Sequence, residues 1–179
     1  MRYIAFLRAI NVGGHTVTMA RLKQIFEAMG FSDVETFIAS GNVIFTTKAK
    51  DAVALTKKIE AQLEKALGYE VATFLRSDAE VARIAAGQPF AAAKIKASKT
   101  LLVGFMDAPF SPATAKAWLA LKTDAEDFHC DGREAYWLCR DGQGQSKYFN
   151  TNLEKILKTR MSFRSMNTVV RLAAKYPPG

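Results

Sequence analysis

Large apolar residues fill four of the five positions from Tyr3 to Leu7, and turn formers follow, which predicts a buried strand. Beyond the Gly13-Gly14 turn the period changes. Met19, Leu22, Ile25, Phe26 and Met29 recur at helical spacing behind Thr18, a capping residue, and Gly30 supplies a left-handed stop. Val34–Ala39 and Val43–Thr46 read as two strand pieces. Ser40-Gly41-Asn42 between them is either a tight hairpin or a bulge in one bent strand. Asp51 caps a second helix with Ile59, Leu63 and Leu67 on one side, Gly68 ends it, and Tyr69–Leu75 returns to strand. Residues 1–76 therefore spell strand, helix, strand, strand, helix, strand, the ferredoxin-like split βαβ order. An antiparallel sheet with both helices on one face buries those stripes economically.

Ser77-Asp78-Ala79-Glu80 is a capping box opening a short helix that Gly87 and Pro89 stop. With the Ala- and Lys-rich stretch Phe90–Ser98 it makes residues 77–98 a helix and connector. Thr100–Met106 is a strand, and Ser111-Pro112 places an N-cap before a proline at the first helical position, with Trp118 and Leu121 inward. Glu126–Cys130 and Arg133–Leu138 flank Asp131-Gly132, which reads as a two-residue hairpin turn. Thr151 opens a helix with Leu153, Ile156 and Leu157 on one face, and Asn167 or Thr168 caps a last helix through Lys175. Residues 99–179 thus repeat the first pattern without its final strand. The expected class is α+β: two ferredoxin-like repeats, the second incomplete, with basic C-terminal helices. An internal duplication is the corresponding hypothesis.

Composition narrows this picture. The chain has 179 residues, 49% of them hydrophobic, enough for a real core. No stretch nears the about 18 uninterrupted apolar residues of a membrane helix, and the start lacks a secretory cleavage pattern, so no membrane association and a cytoplasmic location are expected. Cys130 and Cys139 are expected to be reduced, because the hairpin keeps them apart. The net charge is +8. From Gln143 onward Lys147, Lys155, Lys158, Arg160, Arg164, Arg171 and Lys175 face one acid, Glu154. Such an excess favours anionic partners, although a solvated basic face explains the same count.

The chemistry-bearing residues exclude more than they select. The two histidines, His15 and His129, are remote in sequence, and no clustered ligand set suggests a metal. A Gly-x-Ser-x-Gly elbow and a Walker loop are both missing, and Gly142-Gln143-Gly144 follows a hairpin rather than a Rossmann strand, so no cofactor is expected. Phe37, Phe45, Phe74 and Phe105 on strands are expected to fill the core rather than stack bases. What remains is a set of basic and polar residues at element ends. Gly13 and Gly14 permit the close approach of main-chain N–H groups to a ligand, with Arg8 and Asn11 beside them. Ser40, Asn42 and Lys147 adjoin turns, and Arg160, Arg164 and Asn167 lead into the last helix, whose N-terminus suits an anion. His15, beside this turn, is the candidate acid or base.

Arg8-Ala-Ile-Asn11-Val-Gly13-Gly14, Ser40-Gly41-Asn42-Val43 and Arg164-Ser-Met-Asn167-Thr168-Val169 together resemble a bacterial family, the domain of unknown function 1697, over nearly the whole chain. The last motif departs from the family pattern: Ser165 and Met166 stand where Asn and Trp are usual, which removes an aromatic contact there. The resemblance implies a two-repeat fold of ferredoxin-like units and supplies no reaction. The expected function is a cytoplasmic protein binding a phosphorylated or other anionic ligand, or nucleic acid, through Arg8, Asn11, Gly13, Gly14, Ser40, Asn42, Lys147, Arg160, Arg164 and Asn167. Two alternatives stand beside it: an enzyme on a small anionic substrate with His15 as acid or base, and a structural or partner-binding module.

Overall fold

A computed structural model describes residues 1–11, 13–149 and 151–179; Val12, inside the first motif, lies outside them. The fold is mixed α and β with two four-stranded antiparallel sheets. Two compact units divide the chain. Residues 1–84 with 172–179 form the first, and 85–171 the second.

In the first unit β1 (Arg2–Leu7), β2 (Ser32–Thr36), β3 (Asn42–Thr46) and β4 (Thr73–Ser77) line up as β2-β3-β1-β4. Strand β1 sits in the middle, with Ile4 opposite Ile44 on one side and Arg76 on the other. Tyr3, Ala5 and Leu7 join the core, and Ile4 and Phe6 are also fully buried. Burial on both faces explains the unbroken apolar run, where a half-solvated strand would alternate. The core continues into Leu22, Ile25 and Phe26 of α1 (Met19–Ala28) and Leu55, Ile59 and Leu63 of α2 (Ala52–Leu67). Thr18 caps α1 by accepting from Arg21 N–H at 3.1 Å, and Asp51 caps α2 by accepting from Val53 and Ala54 N–H at 3.0 Å each. The capping box forms in full at α3 (Asp78–Ala86). Glu80 N–H donates to Ser77 Oγ at 3.2 Å, and Ser77 N–H donates to Glu80 Oε2 at 2.8 Å.

The second unit contains α4 (Ala92–Lys96), β5 (Thr100–Met106), α5 (Pro112–Leu119), β6 (Glu126–Asp131), β7 (Glu134–Cys139), a 3-10 turn at Gln143–Gln145, α6 (Leu153–Leu157) and β8 (Met161–Ser165). The final helix α7 (Met166–Lys175) starts here, and its residues from Leu172 onward belong to the first unit. The strand order is β6-β7-β5-β8, the connectivity of the first sheet repeated. Its core gathers Trp118, Phe128, Trp137, Leu153 and Leu157.

Several expectations are corrected. The second repeat does not lack its last strand: β8 supplies it, pairing Gly104 with Phe163 and Val103 with Arg164. Its Met-Ser-Phe-Arg-Ser composition hides a strand, because Ser162 and Arg164 are polar yet buried. The connector carries a helix, α4. The hairpin turn is Gly132-Arg133, since Asp131 still pairs with Glu134. Cys130 therefore lies across from Ala135 and Cys139 from Glu126, and both thiols are free. Asn152 rather than Thr151 caps α6, accepting from Lys155 N–H at 3.1 Å, and Ile156 on that helix is exposed rather than inward. Phe37 lies in the β2–β3 loop instead of a strand, whereas Phe45, Phe74 and Phe105 are core.

Candidate functional site

The chain leaves β1 through a loop of unusual backbone. Ala9, Asn11, Gly13 and Gly14 have φ of +61°, +57°, +60° and +86°, and Ile38 and Gly41 in the β2–β3 loop have +52° and +76°. Glycine adopts these angles freely, but for alanine and a β-branched isoleucine each costs on the order of 1–3 kcal/mol, so the surrounding contacts must over-determine them. Those contacts join the two loops. Asn11 donates from Nδ2 to Ala39 O at 3.2 Å and accepts Val17 N–H on Oδ1 at 2.8 Å. Leu7 N–H donates to Gly41 O at 2.8 Å. A Cβ on Gly41 would stand 3.0 Å from Ile10 Cβ, so a glycine is required where the loops touch.

Arg8, Asn11, Gly13, Gly14 and Ser40 are exposed at this end of the first sheet, and a Cβ at Gly13 or Gly14 would meet nothing within 4 Å. Asn42 differs from them. It is fully buried and donates from Nδ2 to Phe37 O at 2.9 Å and Ser40 Oγ at 3.0 Å, so it shapes the loop from beneath. His15 is exposed, its ring stacked on Tyr69 with centroids 3.9 Å apart. Tyr69 escaped the sequence reading, which placed it on a strand. Its hydroxyl is a buried polar atom with no hydrogen-bond partner.

The remaining predicted residues lie in the second unit, each with its own surroundings. Arg160 donates from Nε and Nη2 to Asp107 Oδ2 at 3.1 and 2.9 Å. Arg164 is 8% exposed and donates from Nη1 to Ser162 Oγ and Phe163 O, each at 2.8 Å. Burial lowers its guanidinium pKa to about 10, which still leaves it charged at neutral pH. It does not precede the helix as a surface group; it is part of β8. Asn167 is not the cap either. Ser165 fills that role, accepting Thr168 N–H on Oγ at 3.2 Å, and Asn167 is exposed in the first turn of α7. Lys147 is exposed, its ammonium 4.9 Å from the Tyr148 ring centroid. The first two motifs therefore meet at one sheet end, while the third belongs to the second unit.

A buried polar centre in the second unit was also missed. Glu126, 7% exposed, accepts from Trp137 Nε1 at 3.1 Å, Thr123 Oγ1 at 3.3 Å and the Ser146 hydroxyl. Its signal was available: in β6 it shares the inward face with Phe128. Among the described residues, no group of three or more His, Cys, Asp or Glu is placed to hold a metal, and no helix is long and apolar enough to cross a membrane.

Comparison with known proteins sets this geometry in a family. Among curated proteins none matches the chain. The conserved bacterial protein SP0830 from Streptococcus pneumoniae shares the fold, with a TM-score of 0.80, 22% identity, and 99% of this chain and 98% of that one covered. The profile of a protein family of unknown function, DUF1697, matches residues 1–136, and the chain belongs to that family.

Proposed function

We propose that the protein binds an anionic ligand, a phosphate-bearing small molecule or nucleic acid, at the paired β1–α1 and β2–β3 loops of the first unit. The observation that carries this reading is the exposed Gly13-Gly14 turn, in a loop that Asn11 ties to the second loop and that also carries the exposed Arg8. Left-handed glycine backbone with open space around it admits an anion to main-chain N–H groups, and a guanidinium next to such donors adds a charge-assisted contact. Asn11 and Asn42 keep the loops in register, and Ser40 offers a hydroxyl at the rim. Arg160 and Arg164 belong to the second unit and stand outside this site in the reading.

Fluorescence polarisation with labelled single-stranded DNA and RNA, competed by inorganic phosphate, tests it. Expected is binding that weakens steeply with salt and falls roughly ten- to a hundred-fold in Arg8→Ala, the worth of one charge-assisted hydrogen bond. Equal binding by Arg8→Ala and the parent overturns the reading, and no binding of either strand at low salt removes its nucleic-acid form.

A further inference from the structure

The second unit holds a cleft of about 310 Å³ between α4 and the outer end of β6. Its origin is the alternation of β6. Glu126 and Phe128 point into the core, so Asp127 faces the other way, opposite Leu138 in the register. Asp127 is mostly covered, with a side chain 19% exposed, and two lysines close over it. Lys94 Nζ from α4 lies 2.7 Å from Oδ2 and Lys122 Nζ from the α5–β6 loop 3.0 Å from Oδ1. The hydrogen bond from Lys94, ahead of the one from Lys122, holds this carboxyl below the usual Asp range, so it is ionised throughout the neutral region.

One carboxylate thus fixes two ammonium groups that would otherwise wander. An ammonium carries three donors, and this contact engages one on each lysine. Arg140 lines the same cleft. Its nearest carboxylate, Asp141, stands 4.0 Å from Nε, at the outer limit of an ion pair, so its planar donor fork is weakly engaged. Leu138, nearly buried, forms an apolar part of the wall. Asp124, exposed at the rim, and the buried Glu126 also line the cleft, and both disfavour a second anionic group on the ligand.

We propose that this cleft binds the phosphate group of a small molecule through Lys94, Lys122 and Arg140, with the uncharged remainder of the ligand against Leu138. The volume suits a sugar-sized body. A nucleic-acid strand fits it poorly, because a strand needs an extended basic track rather than one clamp. Its lining belongs to the second unit and the loop site to the first, and variants distinguish the two.

The test is an amide NMR titration of the full chain at low salt with inorganic phosphate, glucose 6-phosphate and glucose. Saturable shifts at residues 94–98, 122–127 and 138–140 with both phosphates, and none with glucose, are expected. Tighter binding of glucose 6-phosphate assigns the site to a phosphorylated metabolite, and equal binding assigns it to phosphate itself. Arg140→Ala and Lys122→Ala, both surface changes, should weaken binding at least tenfold, while Arg8→Ala leaves it intact. Unchanged affinity in Arg140→Ala, shifts confined to other residues, or no saturable shift overturns the proposal.

Discussion

Arg76 and Arg164 occupy matching positions in the two sheets. Each is buried in the strand that flanks the central one, pairing with Ile4 and Val103 respectively, and each donates from Nη1 to the carbonyl of the preceding residue at 2.8 Å. Each precedes a serine, Ser77 or Ser165, that caps the next helix. Shared strand order, a buried arginine and a serine cap at one position support an internal duplication more strongly than the apolar pattern does.

These arginines are expected to be structural. Replacing Arg164 by Met fills much of the volume but strands the acceptors on Ser162 and Phe163, so a loss of about 1–3 kcal/mol is expected, and more for Arg164→Ala, which also leaves a cavity. Arg76→Met should behave alike. Urea denaturation measures both. A neutral or stabilising Arg164→Met, as when a buried charge is kept for reasons other than stability, would return this residue to the list of ligand contacts.

The end of the chain is tied to β2 through Glu35, which accepts from Lys175 Nζ at 3.0 Å and Tyr176 Oη at 2.8 Å. The Lys175 hydrogen bond, then that of Tyr176, pulls the Glu35 carboxyl below its ordinary value. A carboxyl depressed in the folded state stabilises fully above its unfolded pKa, and that contribution disappears as pH falls through the folded value. The window lies below the normal Glu range of about 4.3. Both ion-pair partners are half exposed, so screening limits the effect to about a few tenths of a kcal/mol. Carboxyl-carbon NMR titration should find Glu35 ionising below the ordinary Glu range, with Lys175→Ala moving it upward. An unmoved Glu35 in that variant excludes Lys175 as the cause.

The cysteines give a chemical check on burial. Desolvation, with Glu126 second, pushes the Cys139 thiol up to about 12, and desolvation followed by Asp131 raises Cys130. Because the thiolate is the nucleophile, both should react with a disulfide reagent at pH 8 more slowly than a free cysteine, Cys139 most of all, until denaturant is added. Rapid labelling of Cys139 in the native protein would contradict its place in the core.

What could be read from the sequence depended on how local the cause was. Thr18, Asp51, Ser77 and Ser111 each stand directly ahead of an apolar period, and each caps the expected helix. Where polar residues adjoin, the choice failed by one or two places, as with Thr151 against Asn152 and Asn167 against Ser165, since every candidate in the run can accept an N–H. Strand β8 was hidden because its polar residues are satisfied within the fold, a fact that no window of sequence contains. The candidate site divides the same way. Turn glycines announced the two loops, but only the fold reveals that Asn42 lies beneath them while Ser40 lies on top.

Gly104 offers the sharpest packing test. A Cβ there would lie 2.7 Å from the ring of Phe163, the residue paired with it across β5 and β8. That ring, partly buried, lies beside Trp118 and Trp137, with centroids 6.2 and 6.0 Å away, and they limit its retreat on that side. Overpacking of this kind costs about 1–3 kcal/mol, and Gly104→Ala should lose that much in thermal or urea denaturation. Phe163→Leu alone should also destabilise, by vacating space between the indoles. Combined with Gly104→Ala, it should cost less than the two single losses together, because the added methyl then occupies volume that the ring has left. Neighbours that share one space couple in this way, whereas strictly additive losses would mean that the ring and the strand do not compete for it.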